Sequence, residues 1–228
     1  MAINLPKKRS GQSFSSSQTA SHTKKSFFLR AWNFLWKDDS WTSWAIHVLL
    51  SFLIIKFLVY PGLGFFLQTK YPIVAVVSGS MEHDGTFEDW WGSEALCKVG
   101  SCTQEAHYSS LGISKEEFQS FSYTNGFDVG DIMILYGTPA DKLAVGDVIV
   151  FVGPRPDPII HRIVFIDQKN GQRFFSTKGD HNAASFGFEE HISENAYLGR
   201  AAVRIPYLGY IKIEFVRLVD LIKSTVAP

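Results

Sequence analysis

From Trp44 to Tyr60 the chain reads WAIHVLLSFLIIKFLVY and then meets the breakers Pro61 and Gly62. A near-continuous apolar stretch approaching ~20 residues is long enough to cross a hydrocarbon core of about 30 Å, so a transmembrane helix is expected here. The competing reading is a buried core helix. Two features of the flanks weigh against it. Trp32, Trp36, Trp41 and Trp44 gather ahead of the run like an interfacial belt, and Lys7, Lys8, Arg9, Lys24, Lys25 and Arg30 precede the first acids, Asp38 and Asp39. By the positive-inside rule the N-terminus stays cytoplasmic and the chain after Tyr60 is extracytoplasmic. Lys56 fits this scheme if the helix ends near Tyr60, where a lysine can snorkel to the outer interface. His47 is read as a packing residue.

No small-residue cleavage site follows the run, because Pro61 to Leu67 continues apolar, so the segment is expected to be an uncleaved signal anchor. The expected organisation is a basic cytoplasmic tail over 1–40, disordered from Met1 to about Lys25, an anchor with an interfacial segment over 41–67, and an extracytoplasmic domain over 68–228. An insertion interrupts that domain at about 82–126. Lys and Arg together number 22, as do Asp and Glu, and this balance leaves no electrostatic footprint for nucleic acid.

The domain opens on Val74-Ala75-Val76-Val77-Ser78-Gly79-Ser80-Met81, β-formers that stop on two serines around a glycine. Ser80 therefore falls at a strand-to-turn boundary, where a hydroxyl can be exposed on fixed backbone. Taken alone, Ser-Gly-Ser is more often an ordinary turn. The insertion reads as loop-rich, with one short helix at Ser114 to Phe121 capped by Ser114 and Glu117. Trp90-Trp91 reads either as local core or as a wedge at lipid headgroups. Cys97 and Cys102, the only two cysteines, are close enough for a disulfide in an extracytoplasmic setting and make a poor zinc site without further ligands. No metal or organic cofactor is implied, since the histidines and cysteines lack ligand spacing.

After Gly126 strand signals dominate. Val129-Gly130-Asp131-Ile132 and Val145-Gly146-Asp147-Val148 repeat one device, a Gly-Asp turn that launches a buried strand, and both aspartates are read as turn-formers. Ile159 to Ile166 reads as a strand, and Asn170-Gly171 is a hairpin signal before Arg173 to Thr177. The fold class is mainly β, an antiparallel domain behind one N-terminal helix. Two polar islands interrupt it: His161 among β-branched residues and Asp180 after a glycine at a strand end. A strand histidine is usually a hydrogen-bonded packing residue, and an aspartate after glycine is usually a turn residue.

The ordered series Ser78-Gly79-Ser80-Met81, Gly130-Asp131, Gly146-Asp147-Val148-Ile149-Val150-Phe151, Ile160-His161-Arg162-Ile163, Thr177-Lys178-Gly179-Asp180 and Arg204-Ile205-Pro206-Tyr207-Leu208-Gly209-Tyr210 resembles the type I signal peptidases. More narrowly it is similar to their archaeal and endoplasmic-reticulum branch, in which histidine replaces the lysine base. The resemblance runs from the anchor to about Tyr210 and leaves out the tail and the insertion. It implies Ser80 as nucleophile, His161 as base, and an oxyanion hole from the Ser80 backbone N–H and the Ser78 hydroxyl. It implies an acid that holds the imidazole, for which Asp180 is the choice here. Relatives usually carry a second acid about six residues after the Gly-Asp; that place is Phe186 in this chain, so Glu189 or Glu190 stands as the alternative.

The implied partners are the bilayer and secretory preproteins, cut after a small residue with another small residue two positions earlier. Val76 and Ile160, which flank the serine and histidine motifs, are candidates for the walls of the shallow apolar pockets this requires. The implied location is the cell membrane, single-pass. A membrane-tethered module without catalysis would not need a serine, a histidine and a downstream acid together. A self-cleaving repressor-like peptidase would need a lysine base and a DNA-binding domain, and neither is seen.

Overall fold

The computed structural model describes Trp32 and residues 40–226. The rest of the basic tail expected over 1–40 lies outside the described residues. The chain divides into two compact units, one ending at Leu58 and one beginning at Val59.

Helix α1 (Trp41–Leu67) is 27 residues long and is the one described helix long and apolar enough to cross a membrane. Ser40 caps it, its hydroxyl accepting from Ser43 N–H at 3.3 Å. His47 Nδ1 lies 2.9 Å from the Ser43 carbonyl one turn back in the same helix. The break expected at Pro61 does not occur. Residues Ile55–Val59 widen into a π-helical turn and Tyr60–Phe66 resumes the α-helix with Pro61 in its first turn. Pro61 has no N–H to give to the carbonyl four residues back, and a local π turn lets the chain pass such a residue without ending. Leu63 to Phe66 is therefore helical and continuous with the run before it. Lys56 does not sit at the end of the helix; its ammonium lies over the Phe52 and Phe57 rings, 5.8 and 5.5 Å from their centroids.

The second unit is built on β1 (Ile73–Ala75), β2 (Glu94–Cys97), β3 (Gly100–Thr103), β4 (Ile132–Tyr136), β5 (Val148–Phe151), β6 (Ile159–Lys169), β7 (Gln172–Lys178), β8 (Ile192–Ser193) and β9 (Tyr197–Ile205). Seven of these form one antiparallel sheet in the order β1-β4-β9-β5-β6-β7-β8. The mainly β class is as expected. Both Gly-Asp devices work as read: Gly130 and Gly146 have φ of 91° and 93°, conformations open to glycine. Asp131 and Asp147 then accept from the N–H of Asp128 and Ala144 at 2.9 and 3.0 Å. Asn170 and Gly171, with φ of 52° and 79°, turn β6 into β7.

The 82–126 segment is more ordered than a loop-rich insertion. It holds the β2–β3 hairpin, α2 (Phe87–Trp91), α3 (Gln104–Ser110) and α4 (Lys115–Ser120). Ser114 caps α4 as expected, accepting from Glu117 N–H at 3.1 Å. Cys97 and Cys102 are joined as a disulfide across the hairpin. Trp90 and Trp91 are core: with Tyr108, Ile113 and Phe118 they form a buried cluster that packs on Val164 of β6. A second cluster contains Val76, Met81, Phe127, Met133, Val148, Val150 and Ile160, and a third, with Leu143, Ile149, Phe151, Ile163, Phe175 and Ile192, takes the alternate residues of β5 and β6 on the other face. Helix α5 (Tyr210–Val226) follows β9 and was not anticipated.

Candidate active site

Ser80 stands on the turn that follows β1, after the apolar run has been drawn into the core through Val76. His161 stands on β6, opposite Ile149 of β5 and next to Arg162, where the pairing with β7 begins. The sheet brings the two together: Ser80 Oγ lies 2.9 Å from His161 Nε2. The serine is half-buried and the imidazole is buried. Ser78 Oγ is 3.3 Å from Ser80 Oγ on the exposed side.

The acid on the imidazole is Glu189, whose Oε1 makes a short contact with His161 Nδ1. Glu189 ends the 3₁₀ turn Gly187–Glu189 and is fully buried. Its Oε1 also accepts from Thr177 Oγ1 at 3.0 Å, and its Oε2 accepts from Phe186 N–H at 2.9 Å. A carboxylate can only accept, so the proton of the neutral ring sits on Nδ1. Nε2 is then left as the acceptor for the serine hydroxyl.

Asp180, the sequence's choice for this place, is not there. Its carboxylate is taken by Arg162, which approaches bidentately through Nε at 3.0 Å and Nη2 at 2.7 Å. His83 Nε2 at 3.1 Å and the Tyr108 hydroxyl at 3.2 Å complete its shell. Burial opposes ionisation of Asp180, but the Arg162 charge and the His83 hydrogen bond outweigh it and hold the carboxyl well below the usual range. The reason for the exchange is register: Arg162 and His161 are neighbours on β6 and point to opposite faces, so the acid paired with Arg162 cannot also reach the imidazole. Beside it, Lys178 is buried with its Nζ 2.9 Å from Gln104 Oε1, and burial lowers its pKa to about 8.

Val76 and Ile160 both belong to the buried cluster, at 1% and 8% exposure, so only Ile160 shows an edge at the surface. Glu190, the other alternative acid, is exposed. Among the described residues one group could be considered for a metal, Cys97, Cys102 and His107, but its two sulfurs are bonded to each other. The contacts made by His83, Trp90, Gln104 and Tyr108 were not seen in the sequence.

An antiparallel β domain that follows a membrane-crossing length of helix, and that sets a serine hydroxyl on a histidine, has the build of a membrane-anchored protease. No family model matches the chain. The chain is 29% identical over 172 residues to the signal peptidase complex catalytic subunit sec11 of Schizosaccharomyces pombe, covering 72% of this chain and 78% of that protein. It is 28% identical over 165 residues to the catalytic subunit SEC11 of Eremothecium gossypii, covering 69% and 73%. With the catalytic subunit SEC11C of Homo sapiens it shares 33% identity over 101 residues, 41% of this chain, and it spans about half of that relative, 53%. The chain is thus similar to catalytic subunits of the signal peptidase complex, over most of its length in the first two of these relatives.

Proposed function

We propose that this chain is a membrane-anchored endopeptidase that removes signal peptides from exported preproteins by a Ser80–His161–Glu189 mechanism. The observation that carries the reading is the unbroken line from Ser80 Oγ through both imidazole nitrogens to Glu189. A serine hydroxyl is a weak nucleophile until a base takes its proton, and Nε2 at 2.9 Å is within reach to do so. As Oγ bonds to the scissile carbon, its proton passes to Nε2 and the ring becomes imidazolium, stabilised by the carboxylate at Nδ1. The tetrahedral oxyanion is met by the Ser80 N–H and the Ser78 hydroxyl. Collapse of that intermediate breaks the C–N bond, and the Nε2 proton leaves with the amine; water then repeats the sequence on the acyl-serine.

Ile160, backed by Val76, forms the wall that limits the substrate to small side chains next to the cut. The N-terminus is cytoplasmic and the domain after α1 is extracytoplasmic, with the substrate's apolar segment in the same bilayer. The relatives are named as subunits of a complex, which supports assembly of this chain with further export components.

Purified full-length protein in detergent, given preproteins that vary at the cleavage site, tests the reading. Small residues before the scissile bond, and two positions earlier, should be required, and cutting indifferent to side-chain size would overturn the substrate class. Protease added outside sealed cells should digest the domain after α1, and digestion only from the cytoplasmic side would reverse the orientation.

A further inference from the structure

The 82–126 segment encloses an ion pair and grips a turn. Arg162 and Asp180 are fully buried, and most of their cover comes from this segment. The guanidinium lies 4.7 Å from the Phe118 ring centroid and donates to the carbonyls of Ser122 and Tyr123 at 2.8 and 2.9 Å. The Asp180 carboxylate accepts from Tyr108, and its carbonyl accepts from Trp90 Nε1 at 3.1 Å. A buried pair of charges is tolerated only when its remaining hydrogen bonds are made, so each of these donors fixes where Asp180 can sit.

The grip extends along the chain on both sides of Asp180. Gln104 Oε1 accepts from Lys178 Nζ at 2.9 Å, and its Nε2 donates to the Asn182 carbonyl at 3.3 Å. Leu96 N–H, on the hairpin closed by the disulfide, donates to the Ala183 carbonyl at 2.9 Å. The opposite side of the same turn bears on the reacting pair. His181 N–H donates to the Ser80 carbonyl at 2.9 Å. Gly179 is so close that an added Cβ would lie 2.7 Å from the Ser80 carbonyl oxygen and 2.8 Å from His161 Nε2.

We propose that Tyr108 and Gln104 are positioning residues for the serine–histidine pair, acting through the 178–183 turn. The proposal rests on the reading of Ser80 and His161 given above. Residues outside the series shared with the family thus set the distance at which the hydroxyl and the imidazole meet. Misplacement of reacting groups by about 1 Å can cost about 10²-fold in rate, so a shift of a fraction of that is large enough to measure.

The test uses full-length protein in detergent carrying Tyr108→Phe, which removes only the hydroxyl, or Gln104→Leu. Three quantities are read: kcat and KM for a preprotein, the thermal transition, and the far-downfield proton resonance of His161 Nδ1–H, identified by its loss in His161→Ala. Each variant should lower kcat about tenfold with KM unchanged, and should shift or broaden the resonance while folded. Gln104→Glu, which keeps the acceptor for Lys178 but loses the donor to the Asn182 carbonyl, should recover only part of the loss. Wild-type kcat and an unmoved resonance in both variants would overturn the proposal, as would a kcat loss that merely follows the unfolded fraction. If the wild type fails to cut any preprotein, the substrate reading falls, and the resonance still decides the positioning.

Discussion

Replacing Glu189 by glutamine separates this site from one organised on Asp180, and its effect can be worked from the contacts. The carboxylate accepts three hydrogen bonds: His161 Nδ1 and Thr177 Oγ1 at Oε1, and Phe186 N–H at Oε2. A carboxamide has one acceptor end and one donor end. If its oxygen takes the Oε1 place, its NH₂ faces the Phe186 N–H, donor against donor, at a cost of about 1–3 kcal/mol for the unsatisfied buried group. If it turns over, its NH₂ faces Nδ1, which must then accept, and the ring proton moves to Nε2, where it blocks uptake of the serine proton. In both orientations the charge that stabilises the imidazolium is gone. The equivalent neutral replacement in serine proteases lowers kcat about 10⁴-fold through the wrong tautomer. Because the first orientation partly preserves the tautomer, the expected loss here is about 10³-fold, or about 4 kcal/mol of barrier. The assay is steady-state cleavage of a preprotein in detergent, with the thermal transition as a folding control. Asp180→Asn should instead act mainly on stability, since it strips the buried Arg162 of its counter-charge, a loss of about 3–5 kcal/mol. A Glu189→Gln enzyme within about tenfold of wild type, beside a folded Asp180→Asn enzyme reduced about 10³-fold, would refute the assignment.

Gly179→Ala should lower kcat by about 10²-fold, because the new methyl must displace the Ser80 carbonyl and the imidazole; unchanged kcat would show that the turn gives way freely. Reduction of Cys97–Cys102, which closes a loop with a sequence separation of 5, should lower the unfolding free energy by about 2 kcal/mol in denaturant titration, and no change in midpoint would contradict this. The Asp180 contribution is present above about pH 4, the ordinary range, and is lost as pH falls toward its depressed folded value, so Asp180→Asn should flatten the acid limb of a melting-temperature profile. Lys178 runs the other way: with its folded value lowered to about 8, the unfolded chain binds more protons between there and the ordinary lysine range, so stability gains from this group as pH rises through that window. Lys178→Met should remove that gain, and an identical slope would contradict it.

The sheet was legible because its signals are local. Gly130 and Gly146 needed positive φ, Asn170-Gly171 made its hairpin, and β-branched runs lay between them. Ser80 and His161 were legible through their motifs, and the structure sets them in hydrogen-bond contact. The acid was harder, because Asp180 and Glu189 are both fully buried behind the same strand end and only strand facing decides which one meets the imidazole. A Gly-Asp turn draws attention in a sequence, whereas Glu189 earns its place through long-range contacts to Thr177 and His161. The insertion misled for a related reason. Its helices are short: α4 is legible only through its Ser114 cap, while α2 and α3, 5 and 7 residues long, show no periodicity, and their order comes from the aromatic cluster over Arg162. The passage of α1 through Pro61 depends on a π turn that no breaker residue announces.

The central claim is that Ser80 attacks and His161 takes its proton, and cleavage of one preprotein by the wild type, Ser80→Ala and His161→Ala, with the product's new N-terminus sequenced, tests it most directly. The account predicts that the wild type releases the mature chain at a single site, and that each variant, folded by thermal unfolding, loses activity by about 10⁶-fold, the scale seen when either member of such a pair is removed. A Ser80→Ala enzyme that makes the same cut at a comparable rate would contradict it.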